Sequence, residues 1–305
     1  MADVRRIATG VKLKVERARA RYGLVDVVIS TFRRFSDNDG GVLAAALTYY
    51  TFFSIFPLLL FSASAVGYLT FLSEGFRENL LRSGLEGVLL LDQILTFNML
   101  ESLKENRGTL AIVGLLLALY SGSGAVVALR HGLNRIDCVE DEGNFFAKRL
   151  DSLRWLAYLG LATVISFTAT VLVRVLGAAA GSSTVGKIIV SVALSLVTVA
   201  VNTGIFLTAF KFLSKKGRSW REVFPGALVA AIAFEALKLV GGAFLSAGSL
   251  GRNRTFGTFS AAAGLLVASY LLAQVTLLAA ELNAVLAERS ERRTSTKADK
   301  PEEKS

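Results

Sequence analysis

The chain alternates between long apolar blocks and short stretches that carry nearly all of its charge. Five blocks contain no Asp, Glu, Lys or Arg: residues 40–73, 108–129, 155–173, 188–210 and 255–280. A sixth block, 223–251, is interrupted only by Glu235 and Lys238. Roughly 20 apolar helical residues cross a hydrocarbon core about 30 Å thick, and helices satisfy their own backbone hydrogen bonds in lipid. The pattern predicts an all-α polytopic membrane protein, a six-transmembrane-helix bundle.

The blocks and the stretches between them define three regions. The six predicted spans form a membrane domain over 42–286, and they cover about 42–69, 109–129, 153–176, 187–212, 223–247 and 257–285. We expect residues 1–41 to include a basic amphipathic helix on anionic lipid headgroups, with a specific partner site as the alternative. The loop 70–107 is predicted to be helical and extracytoplasmic. The tail 287–305 mixes both charges with Pro301, which predicts disorder.

The distribution of basic residues predicts the orientation. The net charge is +10, and the two termini together with the second and fourth loops between spans hold 25 Lys and Arg, against 8 in the alternate segments. Basic loops stay in the cytoplasm, so both termini are predicted to be cytoplasmic. Topology thus accounts for the basicity, and we expect no nucleic-acid partner. The first apolar block begins near residue 42 and is too long for a cleavable signal peptide.

Charged residues inside a span are the sharpest candidate for function. Glu235 lies near the middle of the fifth span, and Lys238 follows three residues later on the same helical face. Such groups usually pair or line a wet cavity. We therefore assign a hypothetical substrate site to Glu235, Lys238 and Asn202, the last of these in the fourth span. The alternatives are a structural ion pair and, for Asn202, a simple interhelical hydrogen bond.

A second group of polar residues gathers at the predicted cytoplasmic ends of the spans. Its members lie at similar depth: Tyr49, Tyr50, Arg130, Asn134, Glu281 and Asn283. An Arg130–Glu281 pair flanked by the two asparagines would satisfy partly buried charges, while anchoring of helix ends is the alternative. Pro57 removes a backbone donor within the first span, which predicts a helix kink there.

Enzyme signatures are missing from the sequence. His131 and Cys138 are the only residues of their types, so no His/Cys zinc site and no internal disulfide can form. Neither a phosphate-binding loop nor a nucleophile elbow is present. The acidic run 137–142 is predicted to be a solvated loop, with weak cation binding as the alternative. We therefore expect no enzyme activity, no metal site and no cofactor.

Five motifs are similar to those of a known family. They occur in that family's order, cover nearly the whole chain, and occupy 44–59, 128–136, 220–227, 256–259 and 281–285. On these residues the chain resembles the YihY/virulence factor BrkB family. The resemblance implies a multi-pass protein of the bacterial inner membrane with six spans. The family has also carried the label of a tRNA-processing ribonuclease, ribonuclease BN.

Three functions are compatible with these features. The preferred hypothesis is a transporter or a translocator of lipids or small molecules, because transporters build their sites from broken helices and polar groups near the membrane midplane. A non-catalytic membrane scaffold or envelope-integrity factor is the alternative. The ribonuclease is the least supported, since neither a metal-binding cluster nor a soluble RNA-binding domain is encoded.

Overall fold

The part of the chain that the structure describes is built from helices. The computed structural model describes residues 23–72, 97–140, 144, 147–162, 184–248 and 257–298. These residues form seven helices: α1 Gly23–Asp37, α2 Gly40–Leu72, α3 Phe97–Ile136, α4 147–162, α5 Thr184–Leu213, α6 Trp220–Gly248 and α7 Gly257–Ala298. The predicted all-α class is confirmed.

Four of the helices are long and apolar enough to cross a membrane. The stretches that meet this requirement are Gly40–Leu58 in α2, Ile112–Ile136 in α3, Ser195–Leu213 in α5 and Ala262–Arg292 in α7. The predicted fifth span coincides with α6, which carries charged side chains along its length. The predicted third span continues beyond α4 into residues 163–176, which lie outside the described residues. The protein is therefore an all-helical membrane protein.

Two helices extend beyond their predicted limits. The predicted loop 70–107 overlaps α3 from Phe97 onwards, and its residues 73–96 lie outside the described residues. The predicted disorder of 287–305 is wrong as far as Ala298, because α7 continues helical to that residue. Ion pairs from Glu288 and Arg289 to α1 explain why the helix continues past residue 287, since they hold this part of α7 against a neighbouring helix. Residues 299–305 lie outside the described residues.

Small residues set the packing of the bundle. Helix α2 packs along α3, α7 packs against both α2 and α6, and α5 packs against α6. At the α6–α7 contact the buried side chains are mostly alanines, including Ala227, Ala230, Ala273 and Ala280. A Cβ atom on Gly226 would overlap the carbonyl oxygen of Ala279. Close backbone approach between these helices therefore depends on side chains of minimal size.

The short turn between α1 and α2 brings the N-terminal helix onto the end of the bundle. Asn38 donates its backbone N–H to the carbonyl of Arg34 at 2.8 Å, and Asp39 adopts a left-handed conformation with φ of 56°. Asp39 then accepts the N–H of Leu43 at 3.0 Å, which begins α2. As a result α1 lies against the C-terminal part of α7 and beside the end of α3.

Candidate functional site

The three residues assigned to the intramembrane site lie together between α5 and α6. The ammonium of Lys238 lies 2.7 Å from Oε1 of Glu235. The side-chain amide of Asn202 donates to the same oxygen at 2.5 Å. Lys238 also lies over the ring of Phe234, 5.0 Å from its centroid. Asn202 thus forms the predicted interhelical hydrogen bond, and this bond holds Glu235 beside its cation.

Only one of the two carboxylate oxygens of Glu235 is bonded within the described part of the chain. The side chain of Asn202 is buried, whereas those of Glu235 and Lys238 are 21% and 29% exposed. Within the described part of the chain, both partners bind Oε1, and no side chain bonds to Oε2. A carboxylate with one free, accessible oxygen can accept a proton, a cation or the hydrogen of an amine. The neighbouring ammonium can meet a phosphate or a carboxylate.

A second polar site surrounds Glu281, which is fully buried in α7. Nε of Arg34 donates to its Oε2 at 3.1 Å, and the amide of Asn38 donates to its Oε1 at 2.6 Å. Arg34 also bonds to the carboxylate of Glu288 and to the carbonyl of Ile136 at 3.2 Å. The guanidinium of α1 therefore joins the end of α3 to the end of α7.

These contacts also determine the charge state of Arg34. Burial alone would lower the pKa of the Arg34 guanidinium. The hydrogen bond and negative charge of Glu288, together with the charge of Glu281, outweigh this effect and raise that pKa above its ordinary value. Arg34 is therefore a permanent cation at the point where α1, α3 and α7 meet.

The predicted Arg130–Glu281 pair is wrong. Arg130 pairs instead with Asp151 of α4, and Glu281 is neutralised from α1. The reason is that α1 folds back onto α7 and places Arg34 beside the buried carboxylate. The sequence held one signal for this: Arg34 and Asn38 are four residues apart, and so lie on one side of a helix.

Asn134 and Asp137 organise the C-terminal end of α3, and Asp137 was missed as a site residue. The Asn134 side-chain oxygen accepts the backbone N–H of Lys215 at 2.9 Å. Asp137 is buried, and its carboxylate accepts hydrogen bonds from Nε of Arg218 at 2.8 Å and from the hydroxyl of Ser214. The prediction of a solvated acidic loop is therefore wrong for Asp137. Two features of the sequence could have indicated this role for Asp137: it follows the end of a predicted helix, and a basic loop at 215–218 offers cations to pair with it.

The side chain of Asn283 bonds to backbone groups of α6, a helix with a proline near its start. Its Oδ1 accepts the N–H of Gly226 at 2.7 Å, and its amide donates to the carbonyl of Val223 at 3.1 Å. These two backbone groups flank Pro225 near the start of α6. A proline cannot donate a backbone hydrogen bond, and a side chain from α7 bonds to the groups on either side of it. Asn283 thus fixes the start of α6 to α7.

The predicted tyrosines do not join the polar network. Tyr49 is exposed and forms ring contacts with Tyr50 and Phe53, with centroids 5.4 Å and 4.8 Å apart. The ring of Tyr50 packs over Gly124 of α3. Among the described contacts, neither hydroxyl bonds to the charged residues around Glu281. Pro57 lies within the continuous helix α2, so the predicted kink stays a prediction.

Polar residues near the C-terminal end of α3 border a small cavity. Asp137, Ser214, Arg218 and Asn283 line it together with apolar side chains of α3, α5, α6 and α7. The cavity has room for about one water molecule. The side chains of Glu235 and Lys238 do not line this cavity. The intramembrane pair and the network at the C-terminal end of α3 are therefore two separate polar sites.

Comparison with known proteins identifies similar chains. The sequence model of the virulence factor BrkB family matches residues 31–304. The ribonuclease-like protein YfkH of Bacillus subtilis (strain 168) is 24% identical over 266 residues, which cover 85% of this chain and 94% of YfkH. The inner membrane protein YhjD of Escherichia coli (strain K12) is 25% identical over 283 residues, covering 85% and 80%.

A third relative is an uncharacterized protein of Dickeya dadantii (strain 3937). It is 28% identical over 263 residues, which cover 81% of this chain and 79% of the relative. No solved structure gives a significant match to the chain. The similarity to all three relatives extends over most of both chains.

Proposed function

Because the chain belongs to the virulence factor BrkB family, we propose that it is a bacterial inner-membrane translocator of a lipid or small molecule. It has six membrane-spanning helices, and its N- and C-termini are cytoplasmic. Four helices of sufficient length and the name of the Escherichia coli relative support this location. The positive-inside distribution of Lys and Arg supports the orientation.

The observation that carries the proposal is the group Asn202, Glu235 and Lys238. Ionisable side chains in membrane helices are expensive to insert and mark transport pathways in many proteins. Here the buried amide orients the carboxylate, and both charges remain partly exposed. Glu235 binds a proton, a cation or a headgroup amine, and Lys238 balances its charge or binds a phosphate. The inner network around Glu281 acts as the gate.

The first prediction concerns Glu235→Gln. This change keeps the size of the side chain and its bond to Asn202 but removes the negative charge that balances Lys238. We expect flux of acyl-labelled NBD-phosphatidylethanolamine across proteoliposomes, measured by dithionite bleaching, to fall to the level of empty vesicles. A parallel assay with a pH-sensitive dye inside the vesicles measures proton flux. The wild type should carry at least one of the two probes.

Glu291→Gln is the matched control, because Glu291 is an exposed glutamate at the end of α7. It removes the same charge outside the site and should leave flux unchanged. Wild-type vesicles that carry neither the lipid nor protons above background would contradict translocation of these ligand classes. Full flux in Glu235→Gln would instead contradict the assignment of the site.

The second prediction uses the single cysteine to test orientation. Cys138 is exposed in the turn after α3, which the proposal places in the cytoplasm. A membrane-impermeant maleimide should label the protein in inside-out vesicles and leave it unlabelled in intact spheroplasts. Gly108→Cys in a Cys138→Ser background, at the other end of the α3 span, should show the opposite pattern. Labelling of Cys138 in spheroplasts would reverse the proposed topology.

RNA cleavage is the alternative suggested by the name of the Bacillus subtilis relative. We propose instead that the chain is not an enzyme, because a helical membrane bundle with one histidine and one cysteine offers few groups for phosphodiester hydrolysis. Metal-dependent tRNA cleavage by the purified protein, lost on mutation of its own residues, would favour the ribonuclease.

A further inference from the structure

Helix α1 presents its polar side to the protein. Asp26 pairs with Arg289 of α7, and eight residues later Arg34 pairs with Glu281 and Glu288. Thr31 is buried, and its hydroxyl donates a hydrogen bond to the carbonyl of Val27 at 2.9 Å. Two ion-paired positions therefore fix the rotation of α1 about its own axis, and the opposite side of the helix must face outward.

The outward side of α1 is an apolar stripe. Leu24, Val28 and Phe32 are four residues apart, so they share one helical face, and they are 82%, 54% and 59% exposed. A helix on the surface of a water-soluble protein has the reverse arrangement, with its apolar stripe on the core. The exposed stripe is thus explained only if the surroundings of α1 are apolar.

The position of α1 places this stripe at the membrane boundary. Only Asn38 and Asp39 separate α1 from α2, whose span Gly40–Leu58 begins at once. At the same time Arg34 binds Glu281, which lies inside the span Ala262–Arg292 of α7. The chain connection and the ion pair therefore hold α1 at the level where the spans enter the lipid.

We propose that α1 is an interfacial helix whose stripe Leu24–Val28–Phe32 inserts between the lipids of the inner leaflet, while its polar side clamps α7. Arg33, whose side chain is 73% exposed beside the stripe, lies at headgroup level. The preceding residues 1–22 carry seven Lys and Arg against two Asp and Glu, a charge that favours an anionic leaflet. The inference is independent of whether the protein translocates a substrate.

The occupant of the stripe can be identified with one engineered fluorophore. The two native tryptophans, Trp155 and Trp220, are replaced by phenylalanine, and a single tryptophan is introduced by Phe32→Trp. The purified full-length protein is reconstituted into vesicles of phosphatidylcholine and phosphatidylglycerol, with or without bromine on the acyl chains. Asp37→Trp in the same background is the matched control, because the Asp37 side chain is exposed on a different face of α1.

We expect the tryptophan at position 32 to emit at shorter wavelength, to lose emission in brominated lipid and to resist quenching by aqueous iodide. The tryptophan at position 37 should show the reverse. Iodide quenching at position 32 without quenching by bromine would place the stripe in water and overturn the proposal. Protection from both quenchers would show that protein, either residues 1–22 or a second copy, covers the stripe, and it would overturn the proposal as well.

Discussion

Replacing Arg34 by alanine is expected to destabilise the folded bundle by about 3–5 kcal/mol, because it leaves a buried carboxylate without its cation. Glu281 is fully buried, and Arg34 is the guanidinium that binds it. The same change removes a bond to the carbonyl of Ile136. Thermal unfolding in detergent, followed by tryptophan fluorescence, should show a large fall in the melting temperature.

Two comparisons distinguish the cost of leaving a buried charge unpaired from the cost of losing an arginine side chain. Arg33→Ala removes the neighbouring arginine, whose pair with Asp37 is exposed, and should change stability by no more than about 0.5 kcal/mol. The double variant Arg34→Met with Glu281→Leu removes both charges and should recover most of the lost stability, since an apolar pair can replace a buried ion pair. A melting temperature for Arg34→Ala equal to that of Arg33→Ala would contradict this account.

The second large effect is expected at Gly226. Gly226→Ala places a methyl group against the carbonyl of Ala279 and the side chain of Asn283. It should cost about 1–3 kcal/mol, the range typical of overpacking, because α6 must move away from α7 or lose its bond from Gly226 N–H to Asn283. The melting temperature in detergent again measures the effect.

Gly204→Ala is the matched control for this prediction. Gly204 lies in α5 with open space where a Cβ would stand. The substitution should be neutral or stabilising by up to about 1 kcal/mol, since alanine is a better helix former than glycine. Equal and small effects at the two glycines would show that close contact between α6 and α7 does not limit stability.

The positions of four membrane helices could be predicted from the sequence because lipid imposes a simple rule. A charge-free block of sufficient length becomes a helix whatever its neighbours are. The same rule singled out Glu235 and Lys238, and three residues of separation on one helix are enough to bring them together. An interhelical hydrogen bond was one of the two roles predicted for Asn202, and the structure identifies Glu235 as its partner.

The partners of Glu281 and Asp137 could not be predicted in the same way. Glu281 has basic residues available from several segments, and the choice of Arg34 over Arg130 depends on how α1 folds back after the turn at Asp39. Asp137 belongs to an acidic run in the sequence, yet the loop between α5 and α6 covers it and supplies Arg218. Tertiary folding decides these pairs, and the spacing of residues along the chain does not contain that information.

The extent of the last helix was wrong for a related reason. Residues 287–298 have the mixed charge of a disordered tail, but Glu288 and Arg289 find opposite charges on α1. The composition of a segment gives its charge, but it does not show which neighbouring residues neutralise that charge. Helix α1 therefore orders the end of α7, just as α7 fixes the rotation of α1.

The central claim is that Glu235 acts in translocation and is more than a neutralising partner for Lys238. Exchanging the two, in the double variant Glu235→Lys with Lys238→Glu, keeps an ion pair at the same spacing, and the amide of Asn202 can turn to present its oxygen. The account predicts a melting temperature close to that of the wild type and flux of the lipid and proton probes reduced to background. Wild-type flux in the exchanged protein would contradict it, because the pair would then be purely structural.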